Sequence, residues 1–193
     1  MINNFEQIKK LLVFDSPDDF YHIQILQRVK ENPQIKKNSN LVKTYCAYST
    51  EYLDKKREEI IKLCEIFNAR AYISLNRRNS KIVALEMMSN LADSIRSNEI
   101  HSLNKIFDST CGKHHSEVDK KWIIDIDSEE FLDVMDIEEA IKEIEPIGDK
   151  TISIVPTKNG WHIISKPFNS QVFGQKFPTT DVQKNAMTIL YIA

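Results

Sequence analysis

Trp122-Ile123-Ile124-Asp125-Ile126-Asp127 is followed by Ser128, a helix-patterned segment over 129–145, and then Thr151 to Thr157 and Trp161 to Ser165. The first run is dense in β-branched and aromatic residues and breaks at Ser128, so it reads as a strand. Ile137, Ala140, Ile141 and Ile144 recur at helical spacing in the segment after it. Lys158-Asn159-Gly160 lies between the next two β-rich runs. Asn-Gly is the strongest short hairpin signal, because a type I′ turn needs positive φ at both central residues. The turn is therefore placed at Asn159-Gly160, with Lys158 opposite Trp161 and Thr157 opposite His162. The order β-α-β-β is half of a ferredoxin-like or RRM-like unit, and residues 178–192 are expected to add one or two strands.

Upstream, Asn3 and Asn4 can cap a short helix with Phe5, Ile8 and Leu12 on one face. Phe20 to Gln27, Leu41 to Tyr48 and Arg70 to Leu75 read as strands. Residues 50–67 carry Leu53, Ile60, Cys64 and Phe67 at helical spacing, with Thr50 as the expected N-cap. Residues 80–97 place Ile82, Leu85, Met88, Ala92 and Ile95 on one stripe, read as core-facing, with the Met87-Met88 pair as core filler. The polar segment Asp108 to Lys121 reads as a loop. The expected fold is α/β (α+β): an RRM-like βαββ sheet packed with an N-terminal αβ lobe. The chain is expected to form one compact domain, with sub-lobes at about 1–107 and 108–193.

The chain has 193 residues, 41% of them apolar, with 26 basic against 28 acidic side chains and a formal charge of −2. That is enough apolar content for a core and excludes a disordered chain. The charge excludes a strongly cationic nucleic-acid coat, so any contact with nucleic acid must come from a local patch or through a metal ion. No apolar run approaches the roughly 20 residues that span a bilayer, and no secretory leader is evident; a cytoplasmic protein without a membrane partner is expected. Three cysteines, Cys46, Cys64 and Cys111, never form a CxxC pair, which argues against a disulfide framework or zinc ribbon. Cys46 and Cys64 read as small core residues. Cys111-Gly112-Lys113-His114-His115 invites a zinc reading, but no second Cys/His cluster lies near it in sequence.

Two places carry possible chemistry. Strand alternation puts Asp125 and Asp127 on one face, roughly 6–7 Å apart along the strand. With 28 acids in 193 residues the spacing alone says little. Two like charges on one face, however, favour a cation between them, and hard oxygen ligands suit Mg²⁺ or Mn²⁺. The alternative is a solvated strand end with Asp127 or Ser128 capping the next helix. His162 follows a glycine turn in the same small sheet. A strand histidine is often structural, yet Lys158 and Lys166 near it suit a triphosphate, and the imidazole could donate to phosphate. Arg77 and Arg78, after the third strand, could bind template phosphates or simply form a solvated turn. Trp161 could serve as a stacking platform.

The run Trp122 to Asp127, a following helix, and Thr157-Lys158-Asn159-Gly160-Trp161-His162-Ile163-Ile164 resemble the catalytic core of the archaeo-eukaryotic primase and primase-polymerase superfamily. Its first motif is hydrophobic residues leading into Asp-x-Asp/Glu, matched by Asp125 and Asp127. Its second is a small residue, any residue, then His, matched by Gly160-Trp161-His162, with Gly where Ser is usual. Its third is an acid on a later strand, for which Asp181 is the best match. The resemblance implies metal ligation by Asp125, Asp127 and Asp181. It also implies triphosphate binding by His162, Lys158 and Lys166, and phosphodiester formation from nucleoside triphosphates on a single-stranded DNA or RNA template, with replication proteins as partners. Two rival readings use the same residues: a non-catalytic nucleotide or single-strand binding module, and a metal-dependent phosphoesterase or nuclease.

Overall fold

The computed structural model describes residues 1–36, 38–99, 103–116, 118–128 and 130–193. The chain opens with β1 (Ile2–Asn3), α1 (Phe5–Lys9), β2 (Asp19–Arg28) and β3 (Ser39–Ala47). Next come α2 (Thr50–Phe67), β4 (Arg70–Ser74), the short β5 (Arg78–Asn79), α3 (Ser80–Arg96) and α4 (Leu103–Lys113). The remainder comprises β6 (Trp122–Ile126), α5 (Phe131–Lys142), β7 (Thr151–Pro156), β8 (Trp161–Ser165), α6 (Ser170–Lys176), β9 (Asp181–Gln183) and β10 (Met187–Ile192). Among the described residues this is a mixed α+β fold with six helices and two antiparallel sheets, of six and four strands.

The larger sheet runs β1-β10-β4-β2-β3, with β5 paired to β2. Leu53, Ile60 and Cys64 recur along α2 and meet Ile23, Ile25, Ala71 and Ile73 of this sheet in one core. Burying each of the Leu and Ile side chains contributes about 1.5–3 kcal/mol relative to exposure. Ser49, not Thr50, caps α2: its hydroxyl accepts from the Tyr52 N–H at 3.1 Å. Asn68 ends the helix in the left-handed region at φ 45°, a conformation asparagine tolerates. Phe67, expected on the buried face, is exposed at that last turn.

The smaller sheet runs β7-β8-β6-β9. Alternation gives it two unlike faces. Trp122, Ile124, Ile126 and Ile163 point one way and pack under Val134, Ile137 and Ile141 of α5 and Phe173 of α6. Ile123, Val155 and Ile164 point the other way and join the core of the larger sheet with Leu190, Phe5 and Ile8. Asn4 ties the two together. Instead of capping α1, its amide donates to the Pro156 and Ile189 carbonyls, each at 3.0 Å.

Several expectations are corrected. Residues 108–113 are the end of α4 and not loop: Ile106, Thr110 and Cys111 bury one stripe, Asp108 is partly buried toward His22 and Lys113 stays outward. Their polarity hid the i, i+4 spacing. Glu117 of that expected loop, and Glu129, the first residue expected of the 129–145 helix, lie outside the described residues. On α3 the stripe expected to be core is exposed, with Ile82, Leu85, Met88 and Ile95 at 52, 68, 68 and 59%. The helix docks through Val83, packed with Phe20 and Cys111, and through Asn90, whose amide donates to Thr110 Oγ1. Met87 is half-buried, so the methionine pair is not core filler. The sheets do not divide at residue 107 either. β10 leaves the smaller sheet's sequence and inserts between β1 and β4.

Candidate functional site

On β6, Ile123 and Asp125 share a face, and the pairing register extends that face sideways. Asp125 stands opposite His162 of β8 and opposite Asp181 of β9. Three strands therefore bring an imidazole and two carboxylates into one row. His162 Nε2 lies 3.3 Å from Asp125 Oδ1, and His162 Nδ1 lies 2.9 Å from the Thr188 hydroxyl on β10. Directly opposed like charges destabilise a sheet. Here the Gln183 amide offsets the repulsion by donating to Asp181 Oδ2 at 3.0 Å and Asp125 Oδ2 at 3.5 Å. Asp127 lies one residue beyond the end of β6 and is exposed, as is Asp181.

Gly160 makes this row possible, for a reason other than turn geometry. The loop is Lys158-Asn159: the Thr157 N–H donates to the Gly160 carbonyl at 2.8 Å, Pro156 faces Trp161 and Val155 faces His162. The turn thus lies one residue before the expected one and the partners shift by two, His162 facing Val155 in place of Thr157, and neither Asn159 nor Gly160 has positive φ. Instead, a Cβ on Gly160 would sit 2.0 Å from the Ile126 carbonyl oxygen and 2.9 Å from the Ser128 nitrogen. The hairpin packs its backbone directly onto the end of β6, and only glycine leaves room.

The row opens into a cleft of about 450 Å³ between the sheets. Asp125, Asp127, His162 and Lys158 line it from the smaller sheet; Arg28 and Arg70, from β2 and β4, and Lys30 line it from the larger one. Glu31 bridges the two sides, its Oε1 accepting from Lys158 at 2.8 Å and from Arg70. Burial pushes the Glu31 carboxyl upward, but Lys158 and Arg70 together hold it below its usual range. A second cleft of similar size lies at the same end of β6, where Asp133 and Asp136 join Asp125, Asp127 and Asp181.

Some expected site residues lie elsewhere. Lys166 follows the far end of β8, exposed, its N–H donating to the Lys150 carbonyl, and it does not line the cleft. Trp161 belongs to the opposite face of the sheet from His162, its ring 5.2 Å from Phe131 of α5. Arg77 pairs with Asp15 at 2.5 Å and Asp19 at 3.7 Å. Arg78 is buried and donates to the Cys111 carbonyl at 2.9 Å, to the Asn76 carbonyl and to Asn185 Oδ1. Burial pulls its guanidinium down to about 10. Both arginines are engaged within the fold, at a cleft away from His162 and Asp125. Cys111 is buried beside Phe20 and Val83, and burial pushes its thiol up to about 12; Cys64 is buried and Cys46 packs partly buried against the same cluster as Cys111.

Sequence reasoning missed Thr188, Gln183, Arg28, Lys30 and Arg70. Gln183 sits two residues from Asp181, so alternation could have found it; the others reach the site only through pairing between distant strands. Among the described residues, no three His, Cys, Asp or Glu side chains are gathered closely enough to hold a metal ion as they stand. The donor set is still chemically apt, since Asp125, Asp127 and Asp181 offer only hard oxygens. No helix of the described residues is long and apolar enough to cross a membrane. No family model, curated protein or solved structure matches the chain.

Proposed function

We propose that the chain is a metal-dependent nucleotidyltransferase of primase-polymerase type, joining nucleoside triphosphates on a single-stranded nucleic-acid template. The observation that carries this reading is the register that sets His162 and Asp181 on either side of Asp125. Two further features support it. The order β6-α5-β7-β8-α6-β9 with strand order β7-β8-β6-β9 is the topology of an RRM-like, ferredoxin-like sheet. In addition, the cleft gathers carboxylates and basic side chains, as a metal–triphosphate ligand requires.

Asp125, Asp127 and Asp181 would hold Mg²⁺ or Mn²⁺, which when bound supplies charge stabilisation for phosphoryl transfer. His162 donates Nε2–H to a phosphate oxygen. Lys158, Arg28 and Lys30 neutralise the triphosphate, in place of Lys166. Lys158 and Arg70 both pair with Glu31, so Lys158 must turn from Glu31 to reach a ligand and Arg70 adds charge behind. Polyanion contact rests on these basic side chains in place of Arg77, Arg78 and Trp161.

A non-catalytic nucleotide-binding module is the second reading, favoured by Asp125 being engaged by His162 and Gln183. One assay separates the readings: protein, Mn²⁺, nucleotides and a primed single-stranded template. Extended products that fall at least about 100-fold, or about 2.7 kcal/mol, in Asp125→Asn with Asp127→Asn support transfer. Shortened products would replace it with nuclease chemistry, and nucleotide binding without any product would replace it with the binding module.

A further inference from the structure

The His162 ring has a neighbour at each nitrogen. Nε2 lies 3.3 Å from Asp125 Oδ1 and Nδ1 lies 2.9 Å from Thr188 Oγ1. His162 is 8% exposed and Thr188 fully buried. A carboxylate only accepts, so a ring with its single proton on Nε2 would turn a donor toward Asp125 and leave the Nδ1 lone pair for the Thr188 O–H. Thr188 is not a neighbour in the small sheet. It stands on β10, opposite Ile73 of the larger sheet, so the second sheet sets the orientation of a side chain of the first.

We infer that Thr188 is a positioning residue: its hydroxyl selects the Nε2–H tautomer of His162 and aims that N–H into the cleft beside Asp125. A valine keeps the shape but offers no donor; a serine keeps the donor. The alternative is that Thr188 merely fills space.

The test reads ring-nitrogen NMR shifts of His162 in the full chain, free of ligand, for the native protein, Thr188→Val and Thr188→Ser. The native ring and the serine variant are expected in the Nε2–H form, with the valine variant showing a tautomer mixture. A native ring protonated at Nδ1, which needs no variant to detect, overturns the inference. So does a valine variant with an unchanged tautomer. A second arm rests on the nucleotidyl-transfer reading: kcat/KM should fall about ten- to a hundred-fold in Thr188→Val and recover in Thr188→Ser. If the tautomers behave as expected while the native protein transfers no nucleotide, the positioning role stands and the transfer reading falls.

Discussion

Gly160 illustrates how much can depend on one missing methyl group. With the Ile126 carbonyl oxygen 2.0 Å from the position of a Cβ, Gly160→Ala must push the hairpin off β6. The neighbouring atoms are backbone, which cannot swing aside. A loss of about 3 kcal/mol is expected in urea unfolding, the upper end for overpacking, and the Asp125–His162 contact should open with it. A change within about 0.5 kcal/mol, as at ordinary surface sites, would show that the strands are not so close. The arginines make a contrasting pair. Arg78→Ala strands buried carbonyls of Asn76 and Cys111 and should cost about 2–3 kcal/mol of stability. Arg28 is exposed on the cleft wall. Arg28→Ala should leave stability within about 0.5 kcal/mol while lowering the salt slope of single-stranded oligonucleotide binding by about 1, measured by fluorescence anisotropy.

At the level of elements, α3 separates pattern from environment. Its apolar stripe has the period of a core helix, yet Leu85 and Met88 are mostly exposed. Were they core, each truncation would cost about 2–5 kcal/mol. In this fold Leu85→Ser and Met88→Ser should each change the unfolding free energy by less than about 0.5 kcal/mol. Val83→Ala, on the docked side, should cost more than either. Equal losses at all three positions would mean that the stripe is covered. Periodicity reports that a helix has an apolar face. Whether anything lies against that face depends on the neighbours, here α4, which meets the side carrying Val83 and Asn90.

Across the whole molecule, the two sheets are strapped together by Glu31, between Arg70 on β4 and Lys158 on the β7–β8 hairpin. The carboxyl is held below its usual 4.5 in the folded protein. A depressed acid contributes stability that is present above about pH 4.5 and lost as pH falls through the lower folded value. The native unfolding free energy should therefore decline below pH 4.5 more steeply than that of Glu31→Gln, which has no such proton to take up. Parallel acid limbs for the two proteins, in thermal or urea unfolding, would show that the strap contributes nothing. Above pH 4.5 the same substitution releases Lys158 toward the cleft.

The run Trp122 to Asp127, the helix after it and the paired strands 151–156 and 161–165 were legible in the sequence because their signals are local: alternation, helical spacing and a turn. So were the acids and the histidine as chemical candidates. The misplaced residues fail for one shared reason. Arg77, Arg78, Lys166 and Trp161 carry suitable side chains, but which face or end they occupy depends on partners far away in the chain, such as Asp15, Cys111, Lys150 and Phe131. The hairpin turn moved by one residue, and the strand partners by two, because Gly160 answers to the β6 backbone and not to a positive φ. Composition and periodicity determined what kinds of strands and helices this chain could make. Only the tertiary structure decided that Asp125, Asp181, His162 and Thr188 would meet, since Asp125 is paired with His162 and Asp181 across strands distant in sequence, and Thr188 reaches His162 from the other sheet, none of which leaves a local trace.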